Sequence, residues 1–366
     1  MKTFDPSQIV RNLQTVEEEV FEPTHAFSDF AVSEKLKGNV AERGYVTPTP
    51  VQDRVIPEIL AGKDVVGLAN TGTGKTAAFL IPLIEKATKS RGQRVLIITP
   101  TRELAAQIED ELRLLSRGLG INSVVCIGGV SIGAQINRLR ARPQFVVGTP
   151  GRLLDLVRQR KVNFSEFGSV VLDEVDRMLE MGFIGDVQKI ISQLPNSRQS
   201  LFFSATLTDS VRKTMQQFTK NPVTISVKTQ DMLSNVDQEI LKVNGSTKLD
   251  MLQNLLDDRE FKRVLIFGRT KRGAEGLSRI LAKKGFQVAS IHGNKTQNQR
   301  KRALDLFRRG TVSILIATDV VARGIDVEDI SHVINYELPE TYENYLHRIG
   351  RTGRAGKKGR ALTFVG

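Results

Sequence analysis

The chain has 366 residues, a length that predicts two globular domains. Of these residues, 40% are apolar and 25% are charged, which excludes a disordered protein. One cysteine and four histidines exclude a disulfide framework and a structural zinc site, and no apolar run is long enough to span a membrane. The net charge is +13, with −3 over residues 1–26, +7 over 27–235 and +9 over 236–366. The positive charge of the two folded regions indicates a polyanionic partner; the alternative is that it serves solubility alone.

The first half of the chain alternates short Val/Ile-rich runs with helical patterns. The runs predict strands at 64–69, 94–99, 144–148, 169–173 and 199–203, and helices are predicted at 102–116 and 207–218. Short, continuously apolar strands separated by helices are typical of a parallel sheet that is covered on both faces. We therefore expect an α/β domain without a membrane segment, and the lack of a signal peptide pattern predicts a cytoplasmic protein.

The first predicted strand leads into the segment Ala69-Asn-Thr-Gly-Thr-Gly-Lys-Thr76, which opens a helical stretch. Glycines in this context let backbone N–H groups converge on phosphate oxygens, and the helix N-terminus adds partial positive charge. Lys75 would reach the β- and γ-phosphates, and the Thr76 hydroxyl would ligate Mg²⁺. The alternative is a Gly-rich turn without a ligand.

The strand at 169–173 ends in two neighbouring carboxylates, Asp173 and Glu174. Asp173 would hold Mg²⁺ and Glu174 would polarise the attacking water, whereas a solvated helix N-terminus is the alternative for this pair alone. Together with the phosphate-loop pattern, the pair predicts a nucleoside triphosphatase.

The α/β pattern resumes after a polar stretch at 226–235, which we interpret as a linker. Strands are predicted at 262–268, 311–317 and 332–336, with helices from Lys271 and Gln297. Near the end, His347-Arg-Ile-Gly-Arg-Thr-Gly-Arg354 alternates arginines with glycines. Because guanidinium groups suit phosphate oxygens, these arginines would complete a nucleotide site on the first lobe when the lobes close; a solvated basic turn is the alternative.

This ordered set of motifs, from residue 27 to residue 366, resembles the DEAD-box family of ATP-dependent RNA helicases. The resemblance implies two RecA-like parallel-sheet lobes joined by a short flexible linker. The implied domains are an N-terminal extension (1–26), an ATP-binding domain (27–228), a linker (229–235) and a helicase C-terminal domain (236–366). Residues 1–26 match no motif, so a packed helix and a disordered tail both stay open.

The resemblance also implies the nucleotide site. Phe27, Tyr45 and Gln52 match the adenine-reading segment, and Asp326 would touch the ribose. Arg351 and Arg354 would be arginine fingers and, with Lys75 and Glu174, the catalytic residues; Thr76 and Asp173 would hold the metal ion. The full set for ATP is Phe27, Tyr45, Gln52, Ala69, Asn70, Thr71, Gly72, Thr73, Gly74, Lys75, Thr76, Asp326, Arg351 and Arg354.

Further motifs are implied to contact RNA or to couple hydrolysis to strand separation. The RNA set is Pro100, Thr101, Arg102, Gly128, Gly129, Thr149, Gly151, Arg152, Arg269, Thr270, Gly293, Gln297, Arg300, Thr318 and Arg323. The coupling set is Asp176, Ser204, Thr206 and His347.

One position departs from the family signature, since Val175 stands where the family has alanine. We expect Val175 to pack inward without abolishing hydrolysis. Compared with alanine, its two extra methyl groups could shift Asp176. Cys126 lies in an apolar pattern and is expected in the core rather than as a nucleophile.

The sequence thus predicts a monomeric ATP-dependent RNA helicase that uses ATP and Mg²⁺. It would bind RNA without sequence preference and unwind short duplexes. Two alternatives are an ATP-gated RNA clamp with slow hydrolysis and an NTP-driven DNA translocase.

Overall fold

A computed structural model describes residues 21–70, 72–90, 92–227, 235–243, 247–319, 327, 329–353 and 357–365. Their backbones divide into two compact units, one up to residue 227 and one from residue 235. Thr71, Arg323, Asp326, Arg354 and most of the predicted linker lie outside the described residues. Within the described residues, no helix has the length and apolarity to cross a membrane.

The first lobe contains a parallel sheet in the strand order β3-β4-β2-β5-β6-β1-β7. Its strands are β1 Val65–Leu68, β2 Val95–Ile98, β3 Ser123–Cys126, β4 Phe145–Gly148, β5 Ser169–Leu172, β6 Gln199–Ser204 and β7 Val223–Ser226. Its α-helices are Glu34–Glu42, Pro50–Leu60, Lys75–Lys89, Arg102–Leu115, Ile132–Leu139, Pro150–Arg158, Val175–Glu180, Ile184–Ile191 and Asp209–Phe218, with 3₁₀ turns at Phe27–Asp29 and Phe164–Glu166.

The second lobe also contains a parallel sheet, in the strand order β10-β11-β9-β12-β13-β8. Its strands are β8 Val236–Lys242, β9 Val264–Phe267, β10 Val288–Ile291, β11 Ile314–Ala317, β12 His332–Asn335 and β13 Gly359–Val365. Its helices are Lys248–Leu256, Lys271–Lys283, Gln297–Arg308 and Tyr342–Ile349. These sheets confirm the predicted pair of parallel α/β lobes.

Alternation along each strand explains the continuous apolar runs. In β2, Val95 and Ile97 pack in one core cluster of the first lobe, whereas Leu96 and Ile98 pack in the cluster on the opposite face of the sheet. Successive side chains of a strand point to opposite faces, so a sheet with helices on both sides needs apolar residues at every position.

Several predicted boundaries need correction. Ser226, which we had placed in the linker, is the last residue of β7 and pairs with Leu68. The helix predicted from residue 207 begins at Asp209, because the Thr208 hydroxyl accepts from the Val211 N–H (3.4 Å) and so caps the helix there. Cys126 is fully buried at the end of β3, which confirms its core position, and burial raises its thiol pKa to about 12.

Candidate nucleotide and RNA site

Four chemistry-bearing segments of the first lobe follow the carboxyl ends of strands. The phosphate loop follows β1, Pro100–Arg102 follows β2, Thr149–Arg152 follows β4, and Asp173–Asp176 follows β5. Because the strands are parallel, these ends meet at one edge of the sheet, which is where open α/β sheets bind their ligands.

The phosphate loop is shaped by left-handed glycines. Gly72 and Gly74 have φ of 86° and 92°, a region that residues with a Cβ avoid. Gly74 precedes the helix Lys75–Lys89, whose N-terminus has no side-chain cap, so the first N–H groups of that helix can meet an anion. The Lys75 ammonium is buried and donates to the Ala69 carbonyl (2.8 Å), which places it inside the loop.

The predicted adenine-reading segment is bonded directly to this loop. Gln52 is 1% exposed and donates from Nε2 to the Gly74 carbonyl (3.2 Å), while its Oε1 accepts from the Thr49 N–H. The Thr49 hydroxyl donates to the Thr73 carbonyl (2.7 Å). A Cβ on Gly74 would lie 2.5 Å from the Gln52 amide nitrogen, so this glycine is also required for close approach.

Tyr45 and Phe27 form an aromatic pair beside that segment. Their ring centroids lie 5.9 Å apart in a stacked arrangement, and the Tyr45 hydroxyl donates to Glu111 (2.8 Å). Arg43 also contacts Glu111, at 3.1 Å. Glu111 belongs to the helix that begins at Arg102, so one helix connects a predicted RNA contact to a predicted adenine contact. Sequence reasoning missed Glu111 because no local pattern marks it.

Two buried carboxylates follow β5, and that of Asp173 lies near Lys75 of the phosphate loop. Asp173 is 2% exposed, and burial raises the pKa of its carboxyl; nearby Lys75 opposes this rise and Glu174 adds to it. Glu174 has a left-handed backbone (φ 53°) and accepts from the Arg177 guanidinium (2.6 Å). We had missed Arg177, although the i, i+3 spacing to Glu174 at the start of a helix is a signal for such an ion pair.

Asp176 bonds to the segment that follows β6. Its Oδ2 accepts from the N–H groups of Ala205 and Thr206, both at 3.0 Å, and from the Thr206 hydroxyl at 3.3 Å. The Ser204 hydroxyl donates to the Thr206 carbonyl (2.8 Å). Val175 is fully buried in the core, as expected, and its extra methyl groups leave the Asp176 bonds in place.

The predicted RNA residues of the first lobe lie in the segments that follow the neighbouring strands β2, β3 and β4. The Arg102 guanidinium occupies the space where Gly128 and Gly129 lack a Cβ, since an added Cβ on Gly129 would lie 2.1 Å from Nη1.

Thr101 caps the helix Arg102–Leu115 by accepting from the Leu104 N–H. Thr149 and Gly151 lie at the start of the helix Pro150–Arg158, and Arg152 donates to the Val130 carbonyl (3.4 Å).

In the second lobe, the predicted RNA residues also follow strands. Arg269 and Thr270 follow β9, where the Arg269 N–H donates to Glu337 and the Thr270 hydroxyl accepts from the Gly273 N–H. Arg300 is 8% exposed and donates to the carbonyls of Gly293 and Lys295, both at 3.2 Å, so it shapes the loop before Gln297. Thr318 follows β11 and is buried.

The arginine-rich segment divides into different environments. Arg351 is buried and donates from Nε to the His347 carbonyl (3.2 Å). Arg348 forms two bonds with the Asp319 carboxylate, at 2.6 and 2.7 Å, donates to the Glu337 carbonyl, and lies over the Phe267 ring. The sequence pattern alone did not separate these two roles.

Comparisons with known proteins agree with this arrangement. The family model described as DEAD/DEAH box helicase matches residues 49–214, and the helicase conserved C-terminal domain matches residues 247–356. The chain is 45% identical to the ATP-dependent RNA helicase CshA of Listeria monocytogenes over 341 residues, which cover 93% of this chain and 66% of the relative. It therefore spans about two thirds of the length of such curated relatives.

Two solved structures are similar over nearly the whole chain. Mss116p bound to ssRNA and AMP-PNP has a TM-score of 0.85 at 31% identity, covering 95% of this chain and 76% of that one. Dbp5 of S. cerevisiae bound to RNA and ADP BeF3 has a TM-score of 0.83 at 31% identity, covering 93% of this chain and 89% of that one. Both family models, the curated relative and these structures confirm the resemblance: the chain belongs to the DEAD-box family of ATP-dependent RNA helicases.

Proposed function

We propose that this protein hydrolyses ATP with Mg²⁺ in an RNA-stimulated manner and uses the reaction to separate short RNA duplexes. The observation that supports this most directly is the segment Asp173–Asp176. It carries the buried carboxylates of Asp173, which lies near Lys75, and of Glu174, and two residues later a third that bonds to Ala205 and Thr206. A change at the nucleotide would therefore reach the segment after β6 through a single turn.

The residues present fit a magnesium nucleotide. The buried Asp173 carboxylate has a raised pKa, so a divalent cation beside it would offset the desolvation that burial imposes. Asp173 and Thr76 would hold the ion, and Lys75 with the loop N–H groups would hold phosphates. Bound Mg²⁺ supplies neutralisation of the developing phosphate charge.

Within this site, Glu174 is the proposed base. Its carboxylate would accept a proton from the attacking water, and the Arg177 ion pair fixes its orientation in a left-handed turn. Phe27, Tyr45 and Gln52 would hold the adenine, and Asp326, Ala69 to Thr73 and Gly74 would complete the nucleotide contacts.

RNA would lie along the segments after the strand ends of both lobes. The Mss116p and Dbp5 structures contain bound RNA, which supports the proposal that this chain binds RNA as well. Guanidinium groups and backbone N–H groups suit phosphates, so we propose RNA binding that does not depend on base sequence.

Binding of ATP and RNA would close the lobes, deliver Arg351 and Arg354 to the γ-phosphate and bend one RNA strand. The monomeric state and the cytoplasmic location stay predictions.

The experiment is ATPase rate with RNA, DNA or no polymer, measured beside strand separation of a short RNA duplex. We expect stimulation by RNA only. Glu174→Gln should keep ATP and RNA binding but stall hydrolysis, because the amide cannot take a proton, whereas the exposed control Glu42→Gln should behave as the parent. Equal rates with and without RNA contradict the proposal; stimulation without strand separation favours the clamp, and stimulation by DNA favours the translocase.

A further inference from the structure

A basic cavity of about 460 Å³ lies in the first lobe, away from the site described above. Its lining residues Arg94, Arg142 and Glu166 precede β2, β4 and β5, whereas the phosphate loop, the turn Asp173–Asp176 and the predicted RNA segments follow the strands. In a parallel sheet these are opposite edges. The cavity is therefore separate from the proposed RNA track.

The charges of this cavity are not balanced. Its one carboxylate, Glu166, accepts from both Arg94 and Arg142, the latter at 3.2 Å. Arg160 and Lys161 also line it, and their exposed side chains have no hydrogen-bond or ion-pair partner among the described residues. Two cationic groups are thus available to an incoming anion.

Two of the arginines hold a backbone conformation that normally requires glycine. Arg142 and Arg160 have φ of 48° and 55°, and each follows the end of a helix, Ile132–Leu139 and Pro150–Arg158 respectively. Glycine is the usual residue at such left-handed helix ends because it has no Cβ. Basic side chains are therefore placed at this cavity against the local backbone preference, as is found where strained residues serve binding.

The lining favours phosphates over a protein partner. Most of its apolar residues are buried: Leu139, Val162 and Phe164 are 7%, 7% and 1% exposed and Val157 is half-buried, so the cavity offers little surface to an apolar anchor or a stacked base. Protein interfaces depend on such buried anchors, whereas nucleic acid backbones are bound by exposed arginine and lysine. Resting on the proposed RNA function, we propose that this cavity binds backbone phosphates of RNA extending beyond the segment held at the strand carboxyl ends.

The test compares Arg160→Gly/Lys161→Ala with the control Lys35→Ala/Arg117→Ala. Each double variant removes two positive charges from exposed positions of the first lobe, and glycine at 160 relieves the left-handed backbone, so folding is not at risk. RNA affinity is measured across a salt series with oligomers about 10 and about 40 nucleotides long, together with RNA-stimulated ATPase activity.

We expect the cavity variant to bind the long RNA roughly 10-fold more weakly and to reduce its log–log salt slope by about 1.4, because two phosphate contacts are lost. Binding of the short RNA and the ATPase activity that it stimulates should match the parent, as should all values for the control. Unchanged affinity for the long RNA overturns the proposal. If RNA affinity is unchanged while polyglutamate binding is lost, the cavity binds an acidic protein segment instead, and the proposal is overturned as well. A parent protein without RNA stimulation would instead contradict the proposed function.

Discussion

Glu174 shows how much one residue depends on its surroundings. Its left-handed backbone lies at the point where β5 ends and the helix Val175–Glu180 begins. Its carboxylate is 4% exposed and paired with Arg177, whose side chain is 2% exposed. A buried ion pair of this kind costs desolvation and is kept where orientation matters. The geometry is thus suited to a base that must hold one direction.

Arg351 carries the first prediction at this scale. Arg351→Ala should lower the RNA-stimulated kcat by about 10³-fold, or about 4 kcal/mol, because a finger acts mainly on the transition state. Arg351→Lys should restore little, since an ammonium lacks the planar fork of a guanidinium. Steady-state ATPase at saturating RNA measures this, with exposed Lys284→Ala as the control. Activity within a few-fold of the parent would remove Arg351 from the catalytic set.

The second prediction concerns His332, at the start of β12. It is 4% exposed and stacks on Phe261 at 3.9 Å; burial and Arg360 lower the pKa of its imidazole from 6.5 to about 4, while Asp258 opposes them. The unfolded chain therefore binds more protons between these pKa values, and stability rises with pH in that window.

We expect the free energy of unfolding to fall by up to about 3 kcal/mol as pH decreases from 6.5 to 4. His332→Gln removes the titrating group, so that variant should lose this part of the pH dependence even if it is less stable overall. Denaturant unfolding at a series of pH values measures both slopes. Identical slopes for parent and variant would show that His332 is not the responsible group.

At the scale of elements, the turn after β5 is tied to the turn after β6. Asp176 is 6% exposed and accepts from two half-buried N–H groups and a hydroxyl across 29 and 30 residues of chain. Its hydrogen bonds, and not the identity of residue 175, hold the two turns together. Val175 only fills the core beneath them.

Asp176→Ala should therefore uncouple the two turns. A fully buried N–H left without an acceptor costs about 1–3 kcal/mol, and these half-buried groups cost less, so the segment 204–206 should loosen while Asp173 and Glu174 remain. We expect strand separation to fall far more than ATP hydrolysis, and both are measured on the same RNA duplex. A proportional fall in the two rates would argue against a coupling role; the control is Asp186→Ala, at a half-buried position of the helix Ile184–Ile191.

Arg348 illustrates a structural role inside a functional motif. It joins the helix Tyr342–Ile349 to Asp319 after β11 and to Asn335 at the end of β12. With five donors in a planar group, arginine can satisfy several such acceptors at once. This anchor fixes the helix from which Arg351 follows.

At the scale of the whole molecule, charge is the dominant feature. A net charge of +13, together with the RNA contacts proposed above, which are mainly to the backbone, predicts that RNA affinity falls steeply with salt and changes little with base sequence. Discrimination of RNA from DNA should come from 2′-hydroxyl groups. Binding of matched RNA and DNA oligomers of several sequences over a salt series measures this. A strong preference for one RNA sequence would reveal a base-reading element.

Much of the architecture was predictable because its signals are local. Buried parallel strands require continuous apolar runs, so β1, β2, β4, β5, β6, β9, β11 and β12 were predicted to within a few residues. Strands at the sheet edges were harder: β7 and β8 alternate buried and exposed residues, and β10 is half-buried at its start. Such short mixed patterns do not distinguish a strand from a loop.

By itself the sequence determined the class of fold, the glycines of the phosphate loop and the carboxylates after β5, since each depends on residue type and spacing over a few positions. Only the tertiary structure decided which distant side chains meet. Tyr45 and Glu111 are 66 residues apart, Asp176 and Thr206 are 30 apart, and Arg348 and Asp319 are 29 apart. The basic cavity likewise arises because parallel pairing brings the chain before β2, β4 and β5 to one edge. Contacts of this kind follow from strand order, which no local spacing encodes.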